Sequence, residues 1–168
     1  MAPQPLSGRR VPGPGQESVW DYPRPPRVEA TTEHVVVELG RVVVAETRAA
    51  LRVLETSHPP GYYLPADAFA VEALRPAEGT SYCEFKGTAH YLDVLGGGQV
   101  APGAAWTYPR PTPGFEVLAG TVALYPGRMG RVLVDGEVVR AQEGGFYGGW
   151  ITDRVVGPFK GAPGTRHW

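Results

Sequence analysis

Eighteen prolines and 23 glycines interrupt this chain of 168 residues, and they are spread along its whole length. Proline cannot continue a helix and glycine weakens one, so few uninterrupted helical runs remain. The stretches between the breaks are short and rich in β-branched and aromatic residues, the material of strands. A mainly β fold with many tight turns follows, and a helical bundle is disfavoured.

The hydrophobic fraction is 42% and the charged fraction 20%, enough for one buried core. Residues 1–16 (MAPQPLSGRRVPGPGQ) hold few apolar anchors and read as a disordered Pro/Gly-rich arm. Residues 17–168 read as a single β-rich domain. Sixteen basic residues balance 17 acidic ones, which supplies no field for nucleic acid or an anionic membrane. No apolar run is long enough to span a bilayer. Arg9 and Arg10 have no apolar segment behind them, so a secretory signal is not expected. The lone cysteine, Cys83, admits no internal disulfide, and a reducing cytoplasm is the expected location.

Several elements can be read directly. Residues 35–45 (VVVELGRVVVA) form a hairpin, and residues 132–139 (VLVDGEVV) form another around Asp135-Gly136, a preferred two-residue turn. Residues 47–55 carry Ala50, Leu51 and Leu54 behind a capping Thr47 and predict a short helix. A second short helix is predicted over residues 112–118, with Thr112 as cap and Pro113 in its first turn. Residues 65–69 can make one helical turn. Residues 82–95 read as one or two strands broken at Gly87, and Gly96-Gly97-Gly98 as a turn. The apolar load of residues 144–168 predicts short strands and turns laid across the core.

One motif occurs twice. Trp20-Asp21-Tyr22-Pro23-Arg24-Pro25 and Trp106-Thr107-Tyr108-Pro109-Arg110-Pro111 differ at one position. Each is followed by a Val-rich hairpin, then by a Gly-aromatic-Tyr step (Gly61-Tyr62-Tyr63; Gly145-Phe146-Tyr147). Each half closes on Phe-Lys-Gly, at Phe85-Lys86-Gly87 and Phe159-Lys160-Gly161. The shared order predicts two diverged pseudo-repeats, over about residues 19–95 and 105–168. The aromatics of the motif serve either as packing anchors or, beside an arginine, as a ligand platform.

The segments Thr56-Ser57-His58-Pro59-Pro60, Tyr62-Tyr63-Leu64-Pro65, Tyr82-Cys83-Glu84-Phe85-Lys86-Gly87-Thr88-Ala89, Ala105-Trp106-Thr107-Tyr108-Pro109 and Gly145-Phe146-Tyr147-Gly148-Gly149-Trp150-Ile151 resemble the bacterial domain-of-unknown-function 427 family, also labelled nucleotidyltransferase-like. The resemblance runs from about Ser18 to Trp168. It implies a mainly β fold similar to the β-tent arrangement of small zinc-binding domains, and no established reaction.

The residues can be weighed against specific chemistries. Metal-dependent nucleotidyl transfer needs paired carboxylates and a phosphate-cradling loop. Asp21, Asp67, Asp93, Asp135 and Asp153 are isolated, and no Walker-type loop is present. The cysteine pairs of a β-tent zinc site are missing, so no metal and no cofactor are expected. Cys83 and Lys86 can converge if the strand is bulged or ends at Gly87. Lys86 is then either paired with a carboxylate or a cation held among aromatics. His58 sits ahead of two prolines and is a candidate acid/base group, with Glu55 placed to orient it.

The leading expectation is a cytoplasmic small-molecule-binding protein or small enzyme with an aromatic-lined cleft. The candidate catalytic residues are His58, Lys86 and Cys83. The candidate ligand-binding residues are Trp20, Tyr22, Arg24, Glu55, Tyr62, Tyr63, Trp106 and Tyr108. The expected partner is a small molecule, anionic if Lys86 meets it, and neither nucleic acid nor membrane. The rival is a homodimeric interaction domain anchored on exposed Trp20 and Trp106.

Overall fold

The structure, a computed structural model, describes residues 8–168. Its strands in chain order are β1 (Glu17–Ser18), β2 (Arg27–Ala30), β3 (Val35–Leu39), β4 (Val42–Thr47), β5 (Leu51–Leu54), β6 (Gly61–Pro65), β7 (Leu74–Cys83), β8 (Gly87–Gly96), β9 (Gln99–Thr107), β10 (Thr121–Leu124), β11 (Arg131–Val134), β12 (Glu137–Val138), β13 (Arg140–Ala141), β14 (Trp150–Ile151) and β15 (Val155–Val156). The 3₁₀ turns at Val19–Asp21, Ala66–Ala68, Glu116–Leu118 and Pro126–Arg128 span three residues each. Among the described residues no helix reaches seven residues, so the fold is mainly β.

Two antiparallel sheets dominate. Seven strands lie in the order β2-β5-β6-β10-β9-β8-β7, and four in the order β12-β11-β3-β4. The period-two pattern of β3 puts Val35, Val37 and Leu39 on the buried side. Val132 and Val134 of β11 join them, and Tyr62, Leu64, Val122 and Leu124 come from the large sheet. These residues form the main core. At its edge the β3–β4 and β8–β9 hairpin tips meet backbone to backbone: a Cβ added at Gly97 would fall 1.9 Å from the Gly40 carbonyl oxygen. The turn joining β11 to β12 has Asp135 at φ 49° and Gly136 at φ 82°, as a type I′ hairpin requires.

The other face of the large sheet carries a smaller cluster built from Val53, Tyr63, Ala89, Tyr108, Phe115, Leu118 and Ala123. A third cluster gathers Val19, Trp20, Tyr22, Leu54 and Val155 where β1 runs parallel to β15. Residues 1–7 of the expected arm lie outside the described residues. Beyond them, the Arg10 main-chain N–H donates to the Gly157 carbonyl at 3.1 Å, and Gln16 Nε2 donates to the Asp153 carbonyl at 2.8 Å.

Two predicted helices are not helices. Residues 47–55 end β4, turn, and form β5, because Arg52 is worth more in a strand. There its guanidinium reaches Glu29 on β2 at 2.7 Å and Glu17 on β1 at 2.7 Å, fully buried. Thr47 does accept a hydrogen bond from the Ala49 N–H at 2.9 Å, but it caps a turn. Residues 112–118 keep only the turn Glu116–Leu118. The Thr112 hydroxyl is used elsewhere, as a donor to the Phe85 carbonyl.

Candidate functional site

The site lies on the face of the large sheet opposite the main core, and strand register explains its shape. Tyr63 of β6 stands opposite Ala123 of β10, Ala123 opposite Trp106 of β9, and Trp106 opposite Tyr91 of β8. Directly opposed residues share a face. The two large rings border a trough, while the small Ala123 between them is buried, 2% exposed, and is not among the residues that line it. Trp106 is braced by Tyr125, with ring centroids 4.6 Å apart. Tyr63 is braced by Tyr108 at 6.3 Å.

The turn between β7 and β8 forms one wall. β7 ends at Cys83, and Glu84, Phe85 and Lys86 make the turn, so Cys83 and Lys86 both line the trough. Thr112 holds that turn with its hydroxyl on Phe85 and its main-chain N–H on the Lys86 carbonyl at 3.1 Å. The Lys86 ammonium lies 5.7 Å from the Tyr63 ring centroid and 5.6 Å from that of Tyr108. It donates to the Tyr63 hydroxyl at 3.3 Å. Burial pulls its pKa down, but its interactions with Tyr63, Cys83 and Glu55 outweigh this and raise it above the usual lysine value. Lys86 is therefore a cation. No Asp or Glu forms an ion pair with it among the described residues.

The third wall is the chain around His58. His58 Nε2 faces Glu55 Oε2 at 3.5 Å, and the same oxygen takes Arg24 Nε at 3.2 Å. On the other side Gln142 Nε2 stands 3.3 Å from His58 Nδ1. The Gln142 amide has one possible orientation. Its oxygen accepts from the Gly149 N–H at 3.0 Å, and its nitrogen donates to the Lys160 carbonyl at 2.7 Å. Its nitrogen is thus a donor to Nδ1, and the imidazole proton sits on Nε2. Burial pushes His58 down to about 3, helped by the positive charges of Lys160, Arg24 and Lys86. His58 is neutral, with Nδ1 on Gln142 and Nε2 turned toward Glu55.

The segment after β13 closes the trough from above with Phe146, Tyr147, Gly148 and Gly149, and Lys160 joins it further along the chain. Tyr147 meets His58 edge to face at 5.3 Å. Gly148 is obligatory there, because a Cβ would fall 2.3 Å from Trp106 Cη2. The half-open cavity measures about 380 Å³, at the small end of ligand-binding cavities. Its depth holds Lys86, Tyr63, Tyr108, Trp106 and His58. Glu84 lies at the exposed rim.

Of the residues singled out in the sequence, the structure brings His58, Lys86, Cys83, Glu55, Tyr63, Trp106 and Tyr108 to this cavity. The other four lie elsewhere. Tyr62 follows strand alternation to the opposite face, where it stacks on Trp150 at 4.7 Å and donates to Glu33 at 2.8 Å. Trp20 is 7% exposed, donates to the Pro158 carbonyl at 2.8 Å, and packs against Trp168. Tyr22 donates to Glu17 at 3.0 Å beside Arg52. Arg24 is not a lining residue; it pairs with Glu55, which is. The two copies of the motif thus differ in backbone: Trp20 sits in a 3₁₀ turn and Trp106 in β9. Tyr91, Tyr125, Gln142, Tyr147 and Lys160 line the cavity without having been singled out as site residues. Tyr147 and Lys160 belong to recurring sequence steps and could have been found that way; nothing marks Gln142.

The domain of unknown function DUF427 matches residues 27–136. The chain belongs to that family. The match includes the β7–β8 turn, the aromatic row and His58, and ends before Gln142, Tyr147 and Lys160. The DUF427 domain here is therefore roofed by residues that the family match does not reach. No curated protein matches the chain.

Proposed function

We propose that this DUF427 protein is a cytoplasmic binding protein for a small anionic molecule with a flat apolar body. The observation that carries this is Lys86: a cation set among Tyr63, Tyr108 and Trp106 in the trough, with no carboxylate in ion-pair contact among the described residues and Glu55, the nearest in effect, already paired with Arg24. A desolvated ammonium without a counter-ion is costly, and an anionic ligand removes that cost. The surrounding rings offer their faces to a planar group. His58 supports binding better than acid/base turnover, because the lone pair on Nδ1 is taken up by Gln142. We also read the two Phe-Lys-Gly steps as diverged copies of one unit, each delivering a lysine to the cavity.

The test is titration calorimetry, with Trp106 fluorescence as a second readout, using benzoate and its neutral analogue benzamide. Benzoate should bind and benzamide should not. Lys86→Met should weaken benzoate by roughly tenfold or more, the worth of one charged hydrogen bond. Equal binding of the two analogues, or benzoate binding that ignores Lys86→Met, overturns the reading.

A further inference from the structure

The trough has a second pole, at the opposite end from Lys86. The row Tyr63, Ala123, Trp106, Tyr91 crosses four neighbouring strands, β6, β10, β9 and β8. Three strand spacings separate Tyr63 from Tyr91, about 14 Å between backbones. Lys86 donates to the Tyr63 hydroxyl at 3.3 Å, so the cation stands at the β6 end. Trp106 lies between the ends and also lines the cavity.

The β8 end is built from hydroxyls. Ser81 of β7 stands opposite Ala89 of β8, and Ser81, Ala89 and Tyr91 all line the cavity. Tyr91 is two residues beyond Ala89, so it shares that face and lies diagonal to Ser81. Its ring leans toward β7: a Cβ at Gly79 would stand 3.8 Å from Tyr91 Cδ2. The Tyr91 hydroxyl donates to Ser81 Oγ at 2.9 Å. That leaves the Ser81 proton uncommitted, since its side chain has no other partner among the described residues. Tyr125, whose hydroxyl also bears on Tyr91, gives its own proton to the Phe146 carbonyl at 3.4 Å.

This end is polar without being charged. The charged side chains lining the cavity stand on the β7–β8 turn (Glu84, Lys86), at Glu55, or at Lys160. The Ser81–Tyr91 pair offers one proton and free lone pairs, which a neutral hydroxyl complements because it both donates and accepts.

We infer that the ligand is a hydroxylated aromatic acid, with its carboxylate on Lys86, its ring over Trp106, and a hydroxyl remote from the carboxylate bonded to Ser81 and Tyr91. This rests on the anion-binding function proposed above and names its ligand class. A hydrogen bond at each end of the row leaves about 8 Å for the ligand's polar atoms, the span of a para-substituted ring with a short acid arm.

The test is calorimetry on the full chain with phenylacetate, para-hydroxyphenylacetate and ortho-hydroxyphenylacetate. The para isomer should bind about fivefold more tightly than phenylacetate, the worth of one neutral hydrogen bond. The ortho isomer, whose hydroxyl sits beside the acid arm, should show no such gain. In the double variant Ser81→Ala, Tyr91→Phe the preference for the para isomer should disappear. Ser81→Thr keeps a hydroxyl and should preserve it, which separates lost bonding from disturbed packing. A para isomer that binds no tighter than phenylacetate, or a preference that survives the double variant, overturns the inference. If phenylacetate in that case still depends on Lys86, read from Lys86→Met, the anion-binding function stands without the hydroxyl pole. If phenylacetate ignores Lys86→Met, both fall.

Discussion

Gln142 Nε2 lies 3.3 Å from His58 Nδ1, across 84 residues of sequence, and fixes the tautomer of the one histidine in the cavity. The Gly149 N–H can only donate and the Lys160 carbonyl can only accept, so the amide between them cannot be turned around. A long-range proton–nitrogen correlation spectrum should show His58 with a bare Nδ1 and a protonated Nε2 at neutral pH. In Gln142→Leu that single form should give way to a mixture. An imidazolium, or the Nδ1–H form, in the parent protein sinks this assignment.

The same burial gives His58 a measurable effect on stability. Its folded value of about 3 lies below the ordinary 6.5. A group with a depressed folded pKa leaves the unfolded state binding more protons as pH falls. Stability from this group is therefore complete above about pH 6.5 and declines toward pH 3. Between about pH 6 and 5 ordinary carboxylates are still ionised in both states, so the histidine stands out there. Urea unfolding should show stability falling by about 1.4 kcal/mol per pH unit in that window for one proton. In His58→Asn the curve should be flatter. A parent curve that stays level from pH 7 to 5 contradicts the burial argument.

Much of this fold can be read from residues, and the failures have a common cause. The hairpins at Gly40-Arg41 and Asp135-Gly136 are legible because turn chemistry is local: each needs φ above zero at particular positions, and few residues supply it. Residues 47–55 mislead because the spacing of Ala50, Leu51 and Leu54 suits a helix, while the decisive partners of Arg52, Glu17 and Glu29, are distant in sequence. The site divides the same way. Lys86, His58 and Cys83 sit in conspicuous turn-rich motifs and do converge. Tyr62 and Tyr63 are adjacent, and only register tells which ring faces the cavity. Gln142 carries no local signal at all; its role exists only once three segments have met.

Arg52 should be the costliest single polar side chain to remove. It is fully buried, lies on β5, and joins Glu17 of β1 to Glu29 of β2 at 2.7 Å each, with Tyr62 stacked nearby at 6.0 Å. Hydrogen bonding and charge from Arg52 outweigh the cost of burial at Glu17 and hold its carboxyl below the usual range. Truncation leaves two carboxylates facing each other, although both are about one-third exposed and can recruit water. Arg52→Ala should cost about 3 kcal/mol in denaturant unfolding. Arg52→Lys should recover part of that, since a single ammonium cannot make the forked contact. A loss under about 1 kcal/mol in the alanine variant would mean the network is ornamental.

Gly148 and Gly145 offer a matched pair that isolates the roof of the cavity. A Cβ at Gly148 would sit 2.3 Å from Trp106 Cη2, and Trp106 has little room to yield because Tyr125 packs on it at 4.6 Å. A Cβ at Gly145 meets nothing within 4 Å. Gly148→Ala must therefore either lift the closing segment or tilt the indole out of the trough. The expected cost is about 1–3 kcal/mol of stability, the range for overpacking a tight contact. Tryptophan emission should shift as the indole environment opens, and benzoate should bind more weakly. Gly145→Ala should leave melting, emission and binding as in the parent. If the two variants behave alike, Gly148 does not seal the cavity against Trp106, and the roofed trough on which anion binding depends is not the form present in solution.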